Sequence, residues 1–514
     1  MPPAPPERRR SGGHTRARGG SGRRHARAPR RLRFWLILLA VLGVLGLGAF
    51  GAVSASVLLS LGRAPRIFAP YIEKRTSGHN PLIVAAGKQA AAWLHAVDRL
   101  PMRADLPWPD WVGASAARIA RADPAHIRQV ASVAELTQAV GSANPGDVIE
   151  LLPGTYRLTG YGLRITRPGS AAAPITLEAH RLGDAVIEAS AVEAIKLSAP
   201  YWHIENLEMH GDCGTDDTDC DNAIHVVGAA RGTVLRNLRL MDFNAQIKVN
   251  GENGAFSDDG VIEDSTLIDT HPRETANPVT PVDIDAASGW RITANLIADF
   301  VKAGGDQTSY GGYAKADSQG TEFHRNVVLC AWHLKNHPGA RIGLSFGGGG
   351  SGIPYRRDLG HTGFEHRDGR ISDNLIAFCS DAGIYLNRAA HARVSHNTLL
   401  DTAGIDVRYP ESSAEINDNI VDGPVHARQG AVLSGAGNRI PFLLGLFLGL
   451  HPERRLFVDP ARLDLRWRAA PPRNVPGRIG QRDLCGTVRR GPAPPGAFGN
   501  FAACLKQGVQ AGGG

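Results

Sequence analysis

Apolar and polar residues alternate in a short segment that recurs eight times between residues 203 and 420. Each copy places two apolar residues around a polar one, continues with Asn or Asp, and ends on another apolar run. The Asn or Asp positions are 22 to 48 residues apart, and self-similarity at such a period is typical of solenoids. These positions are Asn206, Asn237, Asp264, Asn295, Asn326, Asn374, Asn397 and Asn419.

The recurring Asn predicts a sharp turn between two strands of each coil. Asn tolerates the left-handed backbone conformation well, and stacked amides can hydrogen-bond from coil to coil. Asp264 has no donor, so we expect a weaker rung there. The flanking Ile, Leu, Val and Phe have period two, which predicts strands with an inward apolar column. The pattern indicates an all-β parallel solenoid over residues 126–470, since a sandwich would turn about every 8 to 12 residues.

A helix is predicted at the N-terminal end of the solenoid. The segment Ser132-Val-Ala-Glu135 has the form of a capping box, and the helix is expected to continue to about Ala143. An amphipathic helix there can cover the open end of the apolar column. At the other end, residues 471–514 are expected to form an extension and tail.

The charge of the chain is concentrated in its N-terminal tail. Residues 1–33 contain eleven Arg, no Lys and one acid, so the tail carries about +10 and the remainder about −2. A tail this rich in Arg, Gly, Ser and Pro cannot bury a core and is predicted to be disordered. Because the pI of 9.3 reflects this tail, we do not expect the folded part to bind nucleic acid.

An uncharged segment follows the tail. Residues 34–61 are long enough for a tilted transmembrane helix, and the preceding Arg excess places the N-terminus in the cytoplasm. The prediction is a single-pass inner-membrane anchor, a stalk at residues 62–125, and a β-helix in the periplasm or outside the cell. A cleaved signal peptide is the alternative, since Val53-Ser54-Ala55 resembles a cleavage site.

The six cysteines are consistent with an oxidising compartment. Two pairs bracket short segments and are predicted to form disulfides. Cys330 and Cys379 follow the turn residues of successive repeats, and they either stack as thiols or pair. The two predicted disulfides are Cys213–Cys220 and Cys485–Cys504.

The segments that open and close the predicted solenoid resemble those of a known family. Residues 145–151 and 153–156 at its start, and 483–486 and 496–498 near its end, resemble secreted right-handed parallel β-helix proteins. These include the chondroitinase B and alginate lyase family, and the likeness extends over about residues 126–500. The resemblance implies a right-handed parallel β-helix that binds or cleaves an acidic polysaccharide.

The same resemblance implies two catalytic residues. In the lyases a Lys removes the C5 proton of a uronate, an Arg one coil later assists, and calcium neutralises the uronate carboxylate. A base and a cation must act together, because a proton beside a carboxylate is barely acidic until the charge is masked. The matching positions are Lys315 and Arg341. The alternative is that Lys315 is solvated and Arg341 pairs with an acid.

The acidic residues depart from the family pattern. The family has acids just before its Lys on the same strand, whereas the nearest acidic pair here, Asp283 and Asp285, lies one coil earlier. If Ile284 points inward, both carboxylates point outward. They are the candidate calcium ligands, with two solvated carboxylates as the alternative.

Further candidates line the predicted groove. Residues 332–370 lengthen one repeat interval to 48 residues, and long insertions on a regular scaffold usually carry binding residues. The candidate groove residues are Tyr310, Tyr313, His361, Glu365, Tyr385 and Arg388.

Three functions fit these observations. The first is a membrane-tethered, exported uronate polysaccharide lyase that acts by β-elimination. The second is a glycoside hydrolase that uses a carboxylate pair such as Asp283 and Asp285. The third is a non-catalytic glycan-binding or envelope-scaffold protein.

Overall fold

The computed structural model describes most of the chain in two compact units, residues 1–57 and 58–514. Helix Arg30–Leu61 begins in the first unit, and the second unit contains all of the strands. The described residues are 30–101, 106–116, 126–348, 351–358, 363–473 and 480–511.

Three long parallel sheets surround one apolar core, which confirms the predicted all-β, right-handed parallel β-helix. The first sheet contains His126–Val130, Asp147–Leu151, Ile175–Ala179, Trp202–Glu205, Val234–Arg236, Val261–Glu263, Arg291–Thr293, Glu322–His324, Arg370–Ser372, Ala392–Ser395, Ser413–Asn417 and Val432–Ser434. The second sheet contains Gly154–Thr159, Ala185–Ser190, Glu208–Gly211, Arg239–Met241, Thr266–Ile268, Leu296–Ala298, Val327–Leu329, Leu375–Ala377, Thr398–Leu400 and Ile420–Val421. The third sheet contains Leu163–Ile165, Glu193–Leu197, Asn222–Val227, Ala245–Asn250, Val282–Asp285, Thr308–Lys315, Ala340–Phe346, Ile384–Asn387, Ile405–Arg408 and Val425–Arg428.

The remaining elements lie between and around the coils. A short parallel sheet contains Ser318–Gln319, His366–Arg367 and Ala389–Ala390, and an antiparallel pair contains Phe457–Asp459 and Asp464–Trp467. The α-helices are Arg30–Leu61, Pro65–Thr76, Pro81–Asp98, Val133–Gly141, Leu443–Leu446 and Ala502–Ala511. The 3-10 helices are Asp217–Asp219, Ile353–Tyr355, Arg454–Leu456 and Pro460–Arg462.

Equivalent apolar side chains stack inside the coils, as the period-two pattern predicts. In the first sheet Ile262, Ile292, Phe323, Ile371 and Val394 occupy successive rungs and are all fully buried. Each such side chain contributes about 1.5–3 kcal/mol when it leaves water. The apolar column therefore provides much of the stability of the solenoid.

The turn after the first sheet is built differently from the prediction in five of the eight repeats. There the Asn forms the ladder, with Nδ2 to Oδ1 distances of 2.9–3.0 Å up to Asn438, but the residue before it has the positive φ. The Asn recurs in these coils because its amide can donate and accept, and not because of its backbone conformation. The positive-φ residues of these coils are Ala294, Arg325, Asp373, His396 and Asp418.

The earlier coils follow the prediction more closely. Asn206 and Asn237 have positive φ, and the Asn237 amide donates to Asn206 Oδ1 at 2.7 Å. Asp264 also has positive φ. At that coil Ser265 continues the hydrogen-bonded ladder, because its Oγ accepts from the backbone N–H of Leu238 at 3.1 Å.

Asn326→Ala should destabilise the solenoid measurably. Asn326 Oδ1 accepts from the backbone N–H and the amide of Asn295, and its own amide donates to Asn374 and to Ile292. Leaving such buried groups unpaired costs about 1–3 kcal/mol. We expect a lower urea midpoint with an unchanged slope. Asn326→Asp, which keeps the shape but loses both donors, should be no better than Ala, and an unchanged midpoint in both variants would contradict the role of the ladder.

The predicted capping helix is present as Val133–Gly141. Ser132 Oγ accepts from the backbone N–H of Glu135 at 3.2 Å, as in a capping box, and Glu135 accepts at 2.7 Å from the N–H of Ala131, one residue before the N-cap. Leu136 and Val140 are buried in the main core cluster. The helix thus covers the first end of the apolar column.

The region predicted to be a stalk packs on the β-helix wherever it is described. Helices Pro65–Thr76 and Pro81–Asp98 form a hairpin that is joined to the coils by Arg66. This buried guanidinium contacts Asp98 Oδ2 and Asp401 Oδ1 at 2.8 Å each, and donates to the carbonyl oxygen of Cys379 at 2.8 Å. The hairpin is therefore held by charge-assisted bonds to two successive coils.

The outer face of the second sheet is also covered. Trp108 and Trp111 pack on it, together with residues near the C-terminus such as Phe498 and Phe501. The outer faces of the first and third sheets both carry ion-paired side chains, such as Arg236 with Glu263 on the first and Lys248 with Asp283 on the third.

One helix among the described residues is long and apolar enough to cross a membrane. Its span is Leu38–Leu61, with 24 residues and a mean hydropathy of 2.2. A retained anchor and a signal sequence both satisfy this criterion.

All six cysteines form disulfides. Both predicted pairs, Cys213–Cys220 and Cys485–Cys504, are confirmed. Cys330 and Cys379, for which the sequence left two arrangements open, also pair. Three disulfides are consistent with an oxidising compartment.

Candidate functional site

The third sheet has a continuous row of mostly polar side chains on its outer face. Ile247, Ile284 and Leu344 of this sheet point into the core and are fully buried, so the alternate positions point outward. The strand register joins these outward positions coil by coil, and we call them the outer row. The outer row is Arg164, Lys196, His225, Lys248, Asp283, Tyr313, Ser345, Tyr385, Asp406 and His426.

An ammonium group lies between two carboxylates in the middle of the outer row. Asp283 and Asp285 are two residues apart on strand Val282–Asp285 and point outward, as the sequence predicted. Lys248 Nζ, one coil earlier, lies 2.8 Å from Oδ2 of each carboxylate. We call these three residues, together with Tyr313 and Lys315, the lysine–aspartate cluster.

The charges of this cluster shift the pKa values of its members. Burial raises the pKa of Asp283 above its ordinary value. Burial acts in the same direction on Asp285, but the ammonium groups of Lys248 and Lys315 outweigh it and lower the pKa. Burial alone would lower the pKa of Lys248, but the two carboxylates outweigh it and raise the pKa. Lys248 is therefore held as an ammonium ion at neutral pH.

Lys315 and Tyr313 complete the cluster on the next coil. Lys315 Nζ lies 3.6 Å from Asp285 Oδ1 and 4.4 Å from the centroid of the Tyr313 ring. Burial, followed by the charge of Asp283, raises the pKa of Tyr313 well above its ordinary value. The Tyr313 hydroxyl thus remains protonated and can act as a proton or hydrogen-bond donor.

The structure does not bring Arg341 to Lys315. Arg341 pairs in register with Ser309, six residues before Lys315 on an eight-residue strand, which places the two positions about 20 Å apart along the strand. Its guanidinium donates to the carbonyl oxygens of His337 and Pro338 at 3.0 and 3.1 Å, and burial lowers its pKa to about 10. Arg341 holds the backbone of the insertion.

The cluster does not fit a calcium ion as its residues are arranged. Calcium takes about six to eight oxygen ligands, whereas the Lys248 nitrogen lies between the carboxylates of Asp283 and Asp285. Across the described part of the chain, no group of three or more His, Cys, Asp or Glu side chains is placed to hold a metal. The cation beside the carboxylates is a lysine.

The other predicted groove residues have different surroundings. Tyr310 and Tyr385 belong to a small apolar cluster, to which the outer row contributes Tyr385. Glu365 accepts from the backbone N–H of Ala316 at 2.9 Å and so fastens the insertion to the strand that carries Lys315. Arg388 lies 5.1 Å from the centroid of the Tyr409 ring, which is outside the cluster. His361 lies outside the described residues.

Two residues of this face were missed by the sequence reasoning. Lys248 follows Ile247 and precedes Val249, both buried, so period two could have identified it as outward-facing. His225 contacts Glu193 through Nδ1 and Asn250 through Nε2. The hydrogen bond from His225 lowers the pKa of Glu193 to about 2.

Comparisons with known proteins agree with the resemblance noted in the sequence. The model of the chondroitinase B family matches residues 130–218, which is less than half of the chain. None of the curated proteins compared with the chain matches it.

Several solved structures of polysaccharide lyases are similar to this chain. An alginate lyase from Paenibacillus sp. str. FPU-7 is 16% identical, with 61% of this chain and 95% of that chain covered and a TM-score of 0.37. Pectate lyase Pel9A is 14% identical, with 71% and 90% covered and a TM-score of 0.46. The PL6 family polysaccharide lyase Pedsa3628 from Pseudopedobacter saltans is 14% identical, with 61% and 92% covered and a TM-score of 0.32. This chain is a right-handed parallel β-helix that is similar to polysaccharide lyases. Its first coils, residues 130–218, match the model of the chondroitinase B family.

Proposed function

We propose that this protein is a membrane-tethered, exported polysaccharide lyase that cleaves an acidic polysaccharide at the lysine–aspartate cluster. The observation that carries the proposal is the pair of lysines that share Asp285 on the outer face of the third sheet. The match of the first coils to the chondroitinase B family supports the same class of reaction. The N-terminal apolar helix and the three disulfides support an inner-membrane anchor with the β-helix in the periplasm or outside the cell.

The two lysines are suited to different tasks. Lys248 makes two contacts of 2.8 Å with carboxylates, and because an ammonium group has three N–H donors, the third can donate to a uronate carboxylate. Lys315 Nζ lies 3.6 Å from one carboxylate oxygen, Asp285 Oδ1, and Lys315 stands at the position that matches the base lysine of the resembling lyases. We therefore assign the removal of the C5 proton to Lys315, and the neutralising role that calcium has in the family to Lys248.

The elimination then needs a proton donor for the leaving group. As the C5 proton passes to Lys315 Nζ, its bonding electrons form the C4–C5 double bond and the C4–O4 bond breaks. We assign the protonation of O4 to Tyr313, whose ring centroid lies 4.4 Å from Lys315 Nζ. Its raised pKa makes the hydroxyl a weak acid, so it gives up its proton only as negative charge develops on O4. Solvent afterwards removes the proton from Lys315 and restores that of Tyr313. In typical enzymes, a general acid or a general base increases the rate by about 10²–10⁴-fold.

A hydrolase is the second candidate, because the pKa values of Asp283 and Asp285 shift in opposite directions. A protonated and an ionised carboxyl group are what glycoside hydrolysis requires. However, both side chains leave the same strand and bind the same ammonium group, so they do not face each other across a bond. This arrangement favours the lyase.

Incubation of the full chain with alginates, glycosaminoglycans and pectins tests the proposal. A lyase produces unsaturated uronides, which absorb in the ultraviolet, together with new reducing ends. A hydrolase produces reducing ends without the absorbance, and this result would overturn the lyase. Retention of a polymer without either product would indicate a glycan-binding protein instead.

Removal of divalent metal should leave the rate unchanged. Because Lys248 already lies between the two carboxylates, we expect the same ultraviolet progress curve before and after treatment with a chelator. A rate that falls on chelation and recovers with added calcium would show that a metal, and not Lys248, neutralises the substrate.

A further inference from the structure

The outer row changes from open to closed along the axis of the solenoid. At its first four positions, between 14% and 35% of each side chain is exposed, and these positions are Arg164, Lys196, His225 and Lys248. At the next five positions no residue is more than 8% exposed, and these positions are Asp283, Tyr313, Ser345, Tyr385 and Asp406. The accessible part of the row therefore lies toward the N-terminal coils and ends where the lysine–aspartate cluster begins, and we call this part the cleft.

A turn covers the row on the coil after the cluster, and an aromatic pair connects this turn to Tyr313 of the cluster. Ser345 Oγ donates to the carbonyl oxygen of Gly347 at 2.5 Å, so the turn after strand Ala340–Phe346 folds back over the outer face. A Cβ on Gly348 would lie only 3.2 Å from the hydroxyl of Tyr310. The Tyr310 ring in turn meets that of Tyr313 edge to face, with their centroids 5.4 Å apart.

An apolar cluster fills the following coil. Tyr310 packs there with Ile342, Ala382 and Tyr385, and the Tyr385 hydroxyl accepts from the Asn387 amide at 3.0 Å, so these side chains are already engaged with one another. Displacing these buried side chains would expose their apolar surface to water, which is unfavourable. We therefore infer that a polysaccharide does not follow the row through this region.

The chain that follows the apolar helix blocks the last coils as well. Arg63 contacts Asp406 of the outer row at 3.2 Å. At Gly62 a Cβ would lie 2.3 Å from the ring of His426, the final member of the row. The connection between the apolar helix and the hairpin therefore lies across the row, about three coils, or about 14 Å, beyond Tyr313.

We propose that the cleft accepts the end of an acidic glycan chain, so that the protein acts on chain ends and not on internal bonds. The terminal units lie against the lysine–aspartate cluster, and the remainder of the polymer leaves along the open positions from Lys248 toward Arg164. Three of these four open positions are Arg or Lys. Each is ion-paired, Arg164 with Glu193, Lys196 with Glu252 and Lys248 with Asp283 and Asp285, but its nitrogen atoms have further N–H groups that can donate to a polyanion. This inference rests on the proposed function, because it assumes that the cluster is where the polysaccharide reacts.

The length dependence of turnover tests the inference without a substitution. The full chain is incubated with one polyuronate prepared at a short and a long mean length, at equal mass. If the protein cleaves at chain ends, the initial rate should rise in proportion to the number of chain ends. The smallest unsaturated product should be released from the start, and the mean polymer length should fall slowly. An initial rate set by total uronate, with a ladder of intermediate sizes and a rapid fall in viscosity, would overturn the inference while leaving the lyase intact.

A binding measurement distinguishes a failure of the end-binding cleft from a failure of the proposed lyase reaction. If no polyuronate is turned over, the number of protein molecules bound at saturation is compared for the short and long polymers. Saturation in proportion to chain ends would support the end-binding cleft although the lyase proposal fails. Saturation in proportion to total uronate, or no binding to any polyuronate, would overturn the cleft.

Discussion

Replacing Lys315 by Arg should abolish the formation of unsaturated uronide while leaving the fold intact. Arginine keeps the positive charge beside Asp285, where Lys315 Nζ now lies 3.6 Å from Oδ1. It cannot give up its proton at any ordinary pH, so it cannot serve as a base. We expect the initial ultraviolet rate to fall by about 10²–10⁴-fold, which is the usual contribution of a general base.

A control substitution of another lysine by arginine tests whether the effect is specific to Lys315. Lys88 is exposed on helix Pro81–Asp98, away from the third sheet, and Lys88→Arg should leave the rate unchanged. The urea midpoint of the Lys315→Arg variant should also stay near that of the wild type, because the ion pair with Asp285 remains. A Lys315→Arg variant that retains the wild-type rate would show that Lys315 contributes only charge.

Replacing Lys248 by Met should cause the largest loss of stability among single substitutions in the cluster. The change keeps most of the apolar stem but removes the ammonium group that lies 2.8 Å from both Asp283 and Asp285. Two buried carboxylates are then left with Lys315 as their nearest cation, and breaking a buried pair in this way typically costs about 3–5 kcal/mol. The free energy of unfolding from urea titration at neutral pH measures it.

The loss of stability in the Lys248→Met variant should depend on pH. In the wild type the pKa of Asp285 is lowered, so its contribution to stability is present above the pKa of the unfolded chain and is lost as the pH falls. In the Lys248→Met variant burial dominates, and both carboxyl groups should have pKa values above those of the unfolded chain. The difference in the free energy of unfolding between the variant and the wild type should therefore be largest at neutral pH, and it should become smaller as the pH approaches about 4.

Two further variants isolate the buried charge as the cause. Adding Asp283→Asn and Asp285→Asn to Lys248→Met removes the unpaired carboxylates and should recover most of the lost stability. Lys302 forms an ion pair at 2.7 Å with Asp306, whose side chain is mostly exposed, so Lys302→Met should cost no more than about 1 kcal/mol. Equal losses for Lys248→Met and Lys302→Met would contradict the account of the cluster.

The fold was predictable because its signal is repeated. Every coil contributes the same alternation around Asn326 and its equivalents, and the resemblance of the first coils gave the handedness. The role of the Asn was predicted less well. Asn206 itself has positive φ, whereas in the coil of Asn326 the positive φ belongs to the preceding residue, Arg325. A sequence pattern shows that a residue recurs, but the register shows which hydrogen bonds it makes.

The site was only partly predictable for a related reason. Period two correctly placed Asp283 and Asp285 on the outer face, since that needs only the direction of neighbouring side chains. The pairing of Lys315 with Arg341 depended instead on strand register, and strand Thr308–Lys315 is long enough to place them at opposite ends. Lys248 was missed because its partners lie 35 and 37 residues later in the sequence, on the next coil.

The most direct test of the central claim is a structure of the full-length Lys315→Arg variant with a short oligouronate bound. We expect sugar density on the outer face of the third sheet, with a uronate carboxylate near Lys248 and the glycan chain extending toward Lys196. Sugar bound on the first or second sheet, or crossing the row beyond Tyr385, would contradict it.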